Sequence, residues 1–143
     1  MNETVLVVDD DDDIVCITQA MLVRRGFQVR VARSGKSALE SLAERCPDVV
    51  LLDVMMPEMD GLEVLARIRE NPATSGTPVI LLTAKAQDVD LLKGYAVGAD
   101  YYITKPFTRE QLLNGITHVL GGRWSEQGQA PPGDGPPPGS PVR

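Results

Sequence analysis

VVLLDVMMPEMDG, residues 49–61, is the stretch whose reading decides the fold. Asp48–Leu52 is almost continuously apolar and β-branched, as expected of a central parallel strand covered on both faces. It ends in a carboxylate, Asp53, and a loop follows. Leu62, Leu65 and Ile68 then recur at helical spacing. The same alternation repeats on either side. Thr4–Val8 reads as a strand and Asp12–Arg25 as a helix, marked by Ile14, Ile17 and Met21 and ended by Gly26. Gln28–Ala32 is a second strand. Ser37–Arg45 is a helix with Ala38, Leu42 and Leu39 inward. Beyond the central stretch come a strand at Pro78–Leu82 and a helix marked by Val89, Leu92 and Ala96. A strand at Tyr101–Thr104 and a helix at Arg109–Leu120, with Leu112, Leu113, Ile116 and Leu120 inward, complete the pattern. Five strands alternating with five helices predict an α/β fold, a doubly wound five-stranded parallel sheet joined by right-handed crossovers. Ligands of such sheets sit beyond the carboxyl ends of the strands.

The chain has 143 residues and a formal net charge of -6, which suits one domain. Its acidity argues against direct nucleic-acid binding by this domain. Cys16 and Cys46 lie among apolar residues without CxxC spacing. They are expected to be buried free thiols in helices rather than a zinc or redox pair, and a cytoplasmic protein is expected. The start MNETVLVVDD has no cationic region and no long apolar run, so neither a signal peptide nor a membrane span is expected. Composition changes near Gly121: residues 121–143 hold six of the eleven prolines and six of the thirteen glycines. The domain is therefore placed at 1–121, with 122–143 as a disordered tail or linker. Trp124 in it is read as a loosely held aromatic, and lone His118 as a surface helix residue.

The chemistry lies at the strand ends. The first strand runs into Asp9–Asp13. Helix capping accounts for Asp11, Asp12 and Asp13 but less well for Asp9 and Asp10, which abut a buried strand. Asp53 ends the neighbouring strand. Three converging carboxylates need a cation or raised pKa values, and a hard divalent ion, Mg²⁺ by default, answers that need. An EF-hand is not expected, because its glycine and its terminal glutamate are absent. Thr83 ends the fourth strand and Lys105–Pro106 the fifth, where a cis peptide would fix the lysine's direction. A carboxylate, a divalent ion, a hydroxyl and an ammonium make a phosphoryl-transfer set.

The segments VLVVDDD (5–11), VVLLDVMMPEMDG (49–61), VILLTA (79–84) and GADYYITKPF (98–107) resemble a response-regulator receiver domain of two-component signalling, in order and spacing, over roughly residues 3–121. The resemblance implies a flavodoxin-like three-layer sandwich of strand order 2-1-3-4-5. It implies Asp53 as the phosphoacceptor, and Mg²⁺ (or Mn²⁺) held by Asp9, Asp10, Asp53 and the Met55 backbone carbonyl. Lys105 would pair with the phosphoryl group, and Thr83 and Tyr102 would form the switch. Gly61 would permit the turn of the loop after Asp53, which Met56 and Pro57 would shape. A sensor histidine kinase or histidine phosphotransfer protein would be the donor. The output would be a protein target, a fused output domain or a phosphorylation-dependent homodimer, reached through the face of the fourth helix, fifth strand and fifth helix. Met55 and Lys85 would border the hydrolytic water and tune phosphate lifetime, with slow autodephosphorylation expected. Such a domain is a self-phosphorylating switch rather than a turnover enzyme. An inactive scaffold and a small Mg²⁺-dependent phosphatase are the lesser alternatives. Tyr101 departs from the common transcription-factor pattern, which has Asp there, and residues 117–123 lack its basic cluster. Both departures argue against the charged dimer and suggest an exposed aromatic anchor at Tyr101.

Overall fold

The computed structural model describes residues 3–83 and 98–121. Five parallel strands run in the order β2-β1-β3-β4-β5, where β1 is Thr4–Val8, β2 Gln28–Ala32, β3 Val49–Asp53, β4 Val79–Thr83 and β5 Tyr101–Thr104. The helices are α1 (Asp12–Arg24), α2 (Gly35–Glu44), α3 (Gly61–Glu70) and α4 (Arg109–Val119). This is the doubly wound α/β sandwich expected. The helix predicted around Val89–Ala96 lies outside the described residues, so α4 is the fifth helix of the sequence reading. No described helix is long and apolar enough to cross a membrane.

Successive strand residues alternate between two cores. Leu6, Val8, Val50, Leu52, Leu81 and Tyr102 pack with α2 and α3 through Ala38, Leu42, Val64, Leu65 and Ile68. Val5, Val7, Val49, Leu51, Ile80, Leu82, Tyr101 and Ile103 pack on the other face with Val15, Leu22, Leu112 and Ile116 of α1 and α4. Every residue of β1, β3 and β4 is buried, which is why these segments read as continuous apolar runs. Deleting one such side chain, Leu51→Ala for example, would cost about 2–5 kcal/mol.

The helix ends carry recognisable caps. Asp11 is the N-cap of α1 and accepts from the Asp13 and Ile14 amides. Gly26, at φ 91, ends that helix: its N–H donates to Val23 O, and the Phe27 N–H donates back to Leu22 O, closing a Schellman motif over the Leu22–Phe27 contact. The Ser34 side chain accepts from Ser37 N, so α2 starts two residues before the predicted boundary. Thr108 and Gln111 form a capping box on α4.

Two expectations, on the cysteines and on Tyr101, are corrected, and the structure also fixes which face of α1 turns inward. The inward stripe of α1 is Val15, Thr18 and Leu22, while Ile17 is 52% exposed. Two adjacent stripes share the helical period, and packing against the sheet selects between them. Cys16 and Cys46 are both exposed. Cys16 points away from the sheet, and Cys46 follows the end of α2 instead of lying in it, so apolar sequence neighbours did not imply burial. Tyr101, expected as an exposed anchor, is buried at 5% exposure. Its ring lies under Gly115, where an added Cβ would approach Tyr101 to 3.2 Å, and it is tilted against His118 at 4.7 Å between centroids. The residue sits on the α4 face of β5, and only the missing Cβ of Gly115 makes room for it.

Candidate functional site

The parallel register sets the site. Val8 pairs with Leu52, so the residues that follow, Asp9 and Asp53, emerge side by side. Asp53 pairs with Leu82 on its other side, and Thr83 with Thr104 on the next strand. Asp9, Asp10 and Asp53 offer carboxylate oxygens within 4.8 Å of one another. Asp9 is fully buried and Asp53 is 3% exposed, whereas Asp10 faces solvent. Lys105 Nζ bridges the two buried acids, at 3.0 Å from Asp9 Oδ2 and 3.1 Å from Asp53 Oδ1. The Asp11 amide donates to Asp9 Oδ1 at 3.0 Å.

One ammonium does not balance this cluster. Burial, and then the charge of Asp9, push the Asp53 carboxyl up from its ordinary 3.8 to about 6, although Lys105 and the Met55 amide pull the other way. Burial alone would lower the Lys105 ammonium. Hydrogen bonding to Asp9 and the charge of Asp53 outweigh it and hold the group above its ordinary 10.5. An all-oxygen set of three acids with one lysine retains a net negative charge, and a hard divalent cation fits it in both charge and ligand type.

Thr83 is buried at the end of β4, and its carbonyl accepts from Lys105 N at 2.6 Å. The backbone thus ties the hydroxyl-bearing residue to the lysine. The Lys105–Pro106 peptide is cis. Tyr102 is buried on the α2–α3 face of β5. Met55 stands 68% exposed beside Asp53. Lys85 lies outside the described residues.

Two features of the loop after Asp53 were not legible in the sequence. The left-handed turn falls on Glu58, at φ 69, not on Gly61. Met59 N donates to Pro57 O at 2.8 Å across Glu58, a three-residue turn. Gly61 is required for another reason: an added Cβ would sit 2.3 Å from the Asp53 carbonyl oxygen. Its own N–H donates to Val54 O at 2.9 Å, drawing the start of α3 against the end of β3. A third group, Arg69 with Asp100, had no motif to announce it.

A doubly wound domain with buried carboxylates and a lysine at the carboxyl edge of its central strands defines the class of signalling domains built around an acceptor aspartate. The model of the response regulator receiver domain family matches residues 5–117, and the chain belongs to that family. It is 40% identical over 120 residues to the alkaline phosphatase synthesis transcriptional regulatory protein PhoP of Bacillus subtilis, covering 84% of this chain and 49% of that protein. The chain therefore spans about half the length of such regulators. The chemotaxis protein CheY4 of Vibrio cholerae superposes with a TM-score of 0.80 at 33% identity, covering 84% of this chain and 100% of that one. The receiver domain of the sensor histidine kinase PA1611 of Pseudomonas aeruginosa, with a magnesium ion coordinated in its active-site cleft, matches with a TM-score of 0.78 at 28% identity, covering 85% of this chain and 99% of that one.

Proposed function

We propose that this receiver takes a phosphoryl group from the phosphohistidine of a sensor kinase or phosphotransfer protein onto Asp53, in the presence of Mg²⁺. The observation that carries the reading is the bridge of Lys105 between Asp9 and Asp53, with Asp10 alongside. Asp9, Asp10, Asp53 and the Met55 carbonyl would hold the ion. When bound, the ion would neutralise the carboxylates and the charge on the phosphoryl oxygens. A carboxylate oxygen of Asp53 attacks phosphorus in line, the P–N bond breaks, and its electron pair returns to the imidazole. Without the ion, burial and the Asp9 charge raise the Asp53 carboxyl to about 6; a bound divalent cation would favour the ionised form that attacks. Lys105 keeps its proton and moves from a carboxylate partner to a phosphoryl oxygen. Thr83 donates its hydroxyl to the new acceptor oxygens, and Tyr102 follows its movement, a population shift between two packings.

Residues 1–121 are proposed as the receiver and 122–143 as a linker or tail. The output is a protein partner, or a domain fused beyond the tail, a reading that the greater length of the curated relatives supports. The burial of Tyr101 under Gly115 supports an output face that does not use the charged dimer contacts. Met55, exposed and unable to hydrogen-bond well to water, is proposed with Lys85 to slow hydrolysis of the acyl phosphate. Met55→Asn should then shorten its lifetime, and an unchanged lifetime would refute that role. The whole reading is tested by intact mass after incubation with Mg²⁺ and acetyl phosphate. One added phosphoryl group is expected, lost with chelator and in Asp53→Ala; a gain that survives both would reject the assignment.

A further inference from the structure

The end of the sheet opposite the carboxylates holds a second built assembly. The Arg69 guanidinium, in the last turn of α3, donates to four acceptors on two other segments. These are Gly98 O at 2.9 Å, Ser75 O at 3.0 Å, Thr77 O at 2.6 Å and Asp100 Oδ2 at 2.9 Å. The same Asp100 oxygen accepts from Val79 N at 2.8 Å, and Asp100 N donates to Val79 O at 2.9 Å. Gly98, at φ 103, must lack a side chain, because a Cβ would come within 2.9 Å of Arg69 Nε. The Arg69 side chain is only 20% exposed. An isolated ion pair in this position would contribute little. A planar fork that satisfies three carbonyls and a carboxylate at once defines a fixed geometry that a lysine cannot reproduce.

Both strands held there lead to the site. β4 starts at Val79 and ends at Thr83, and β5 follows Asp100 and runs through Tyr102 toward Lys105. At about 3.3 Å per residue, the clamp and Thr83 lie roughly 13 Å apart along β4. We infer that Arg69 is a positioning residue for the switch: it pins the starts of β4 and β5 to α3, so that movement of Thr83 is expressed at Tyr102 instead of being lost as sliding of the two strands. The inference rests on the phosphoryl-acceptor reading above. Arg69 touches none of the reacting groups. Its loss leaves the chemistry at Asp53 in place and weakens the coupling between phosphorylation and Tyr102.

The test uses the whole chain labelled with 3-fluorotyrosine, with the Tyr102 ¹⁹F line assigned through Tyr102→Phe. The displacement of that line on adding Mg²⁺ and acetyl phosphate is compared at matched phosphorylation, read by intact mass. Arg69→Met should accept the phosphoryl group at close to the wild-type rate, yet show a displacement reduced by about twofold or more. Arg69→Lys should resemble it. A purely structural Arg69 would lower the melting temperature but leave the displacement at wild-type size well below it, and that result overturns the inference. Should Arg69→Met not fold, Asp100→Asn serves in its place: a reduced displacement supports the clamp, and a full one overturns it. A wild-type chain that is phosphorylated without any movement of Tyr102 overturns the switch and the clamp together. A wild-type chain that takes no phosphoryl group overturns the underlying reading itself.

Discussion

Replacing Asp53 by Asn should stabilise the metal-free protein, and the gain should grow with pH. The side chain is 5% exposed and has Asp9 as a neighbour across Lys105. Burial and that neighbour raise its carboxyl from 3.8 to about 6, a value that already includes the attraction of Lys105. A folded-state value above the unfolded one means that the folded protein binds the proton more tightly. The associated stability is fully present below pH 3.8 and is lost as pH rises through 6. At about 1.36 kcal/mol per pH unit the whole loss is about 3 kcal/mol, and about 2 kcal/mol of it falls between pH 4.5 and 8. Asn never ionises and does not suffer this loss. Urea denaturation of both proteins in chelator, at several pH values, should show the advantage of Asp53→Asn widening by about 2 kcal/mol over that range. Saturating Mg²⁺ should narrow it by stabilising the wild type. A difference that stays flat with pH, or a wild type that is the more stable protein at pH 8 in chelator, would refute the reasoning.

Gly61→Ala places a methyl group 2.3 Å from the Asp53 carbonyl oxygen. It should cost about 1–3 kcal/mol in urea denaturation and reduce phosphoryl uptake by displacing the acceptor. Thr18 Oγ1 is buried without a hydrogen-bond partner, so Thr18→Val should raise stability by about 1 kcal/mol, measured the same way. Lys105→Met leaves Asp9 and Asp53 facing each other without their shared cation. It should slow acyl-phosphate formation by roughly 100-fold in a time course followed by intact mass.

The features most legible in the sequence were those dictated by burial and by strand ends. Thr4–Val8 and Val49–Asp53 are buried along their whole length, so composition alone marked Thr4–Val8 as a buried strand and Asp48–Leu52 as a central one. Once those strands pair in parallel, Asp9 and Asp53 are neighbours by register. What stayed hidden depended on packing between distant segments. The spacing of Ile14, Ile17 and Met21 marked α1 without showing which face turns inward, because Val15, Thr18 and Leu22, the residues that are buried, have the same period. Tyr101 was misplaced because its cover, Gly115, lies on a different element. Gly61 looked like a turn glycine, yet the positive φ belongs to Glu58, and the close approach of the Asp53 carbonyl is visible only in three dimensions. Arg69 resembled any surface arginine of an amphipathic helix until its four acceptors were brought together.

The central claim is that Asp53 itself carries the phosphoryl group. Borohydride reduction of the protein after treatment with Mg²⁺ and acetyl phosphate, followed by peptide mapping, reads the acceptor directly, because an aspartyl phosphate is reduced to homoserine. The account predicts homoserine at position 53 and nowhere else, and none when Mg²⁺ is withheld. Homoserine at Asp9, Asp10 or another acid, or an unmodified position 53 in protein that has gained the phosphoryl mass, would contradict it.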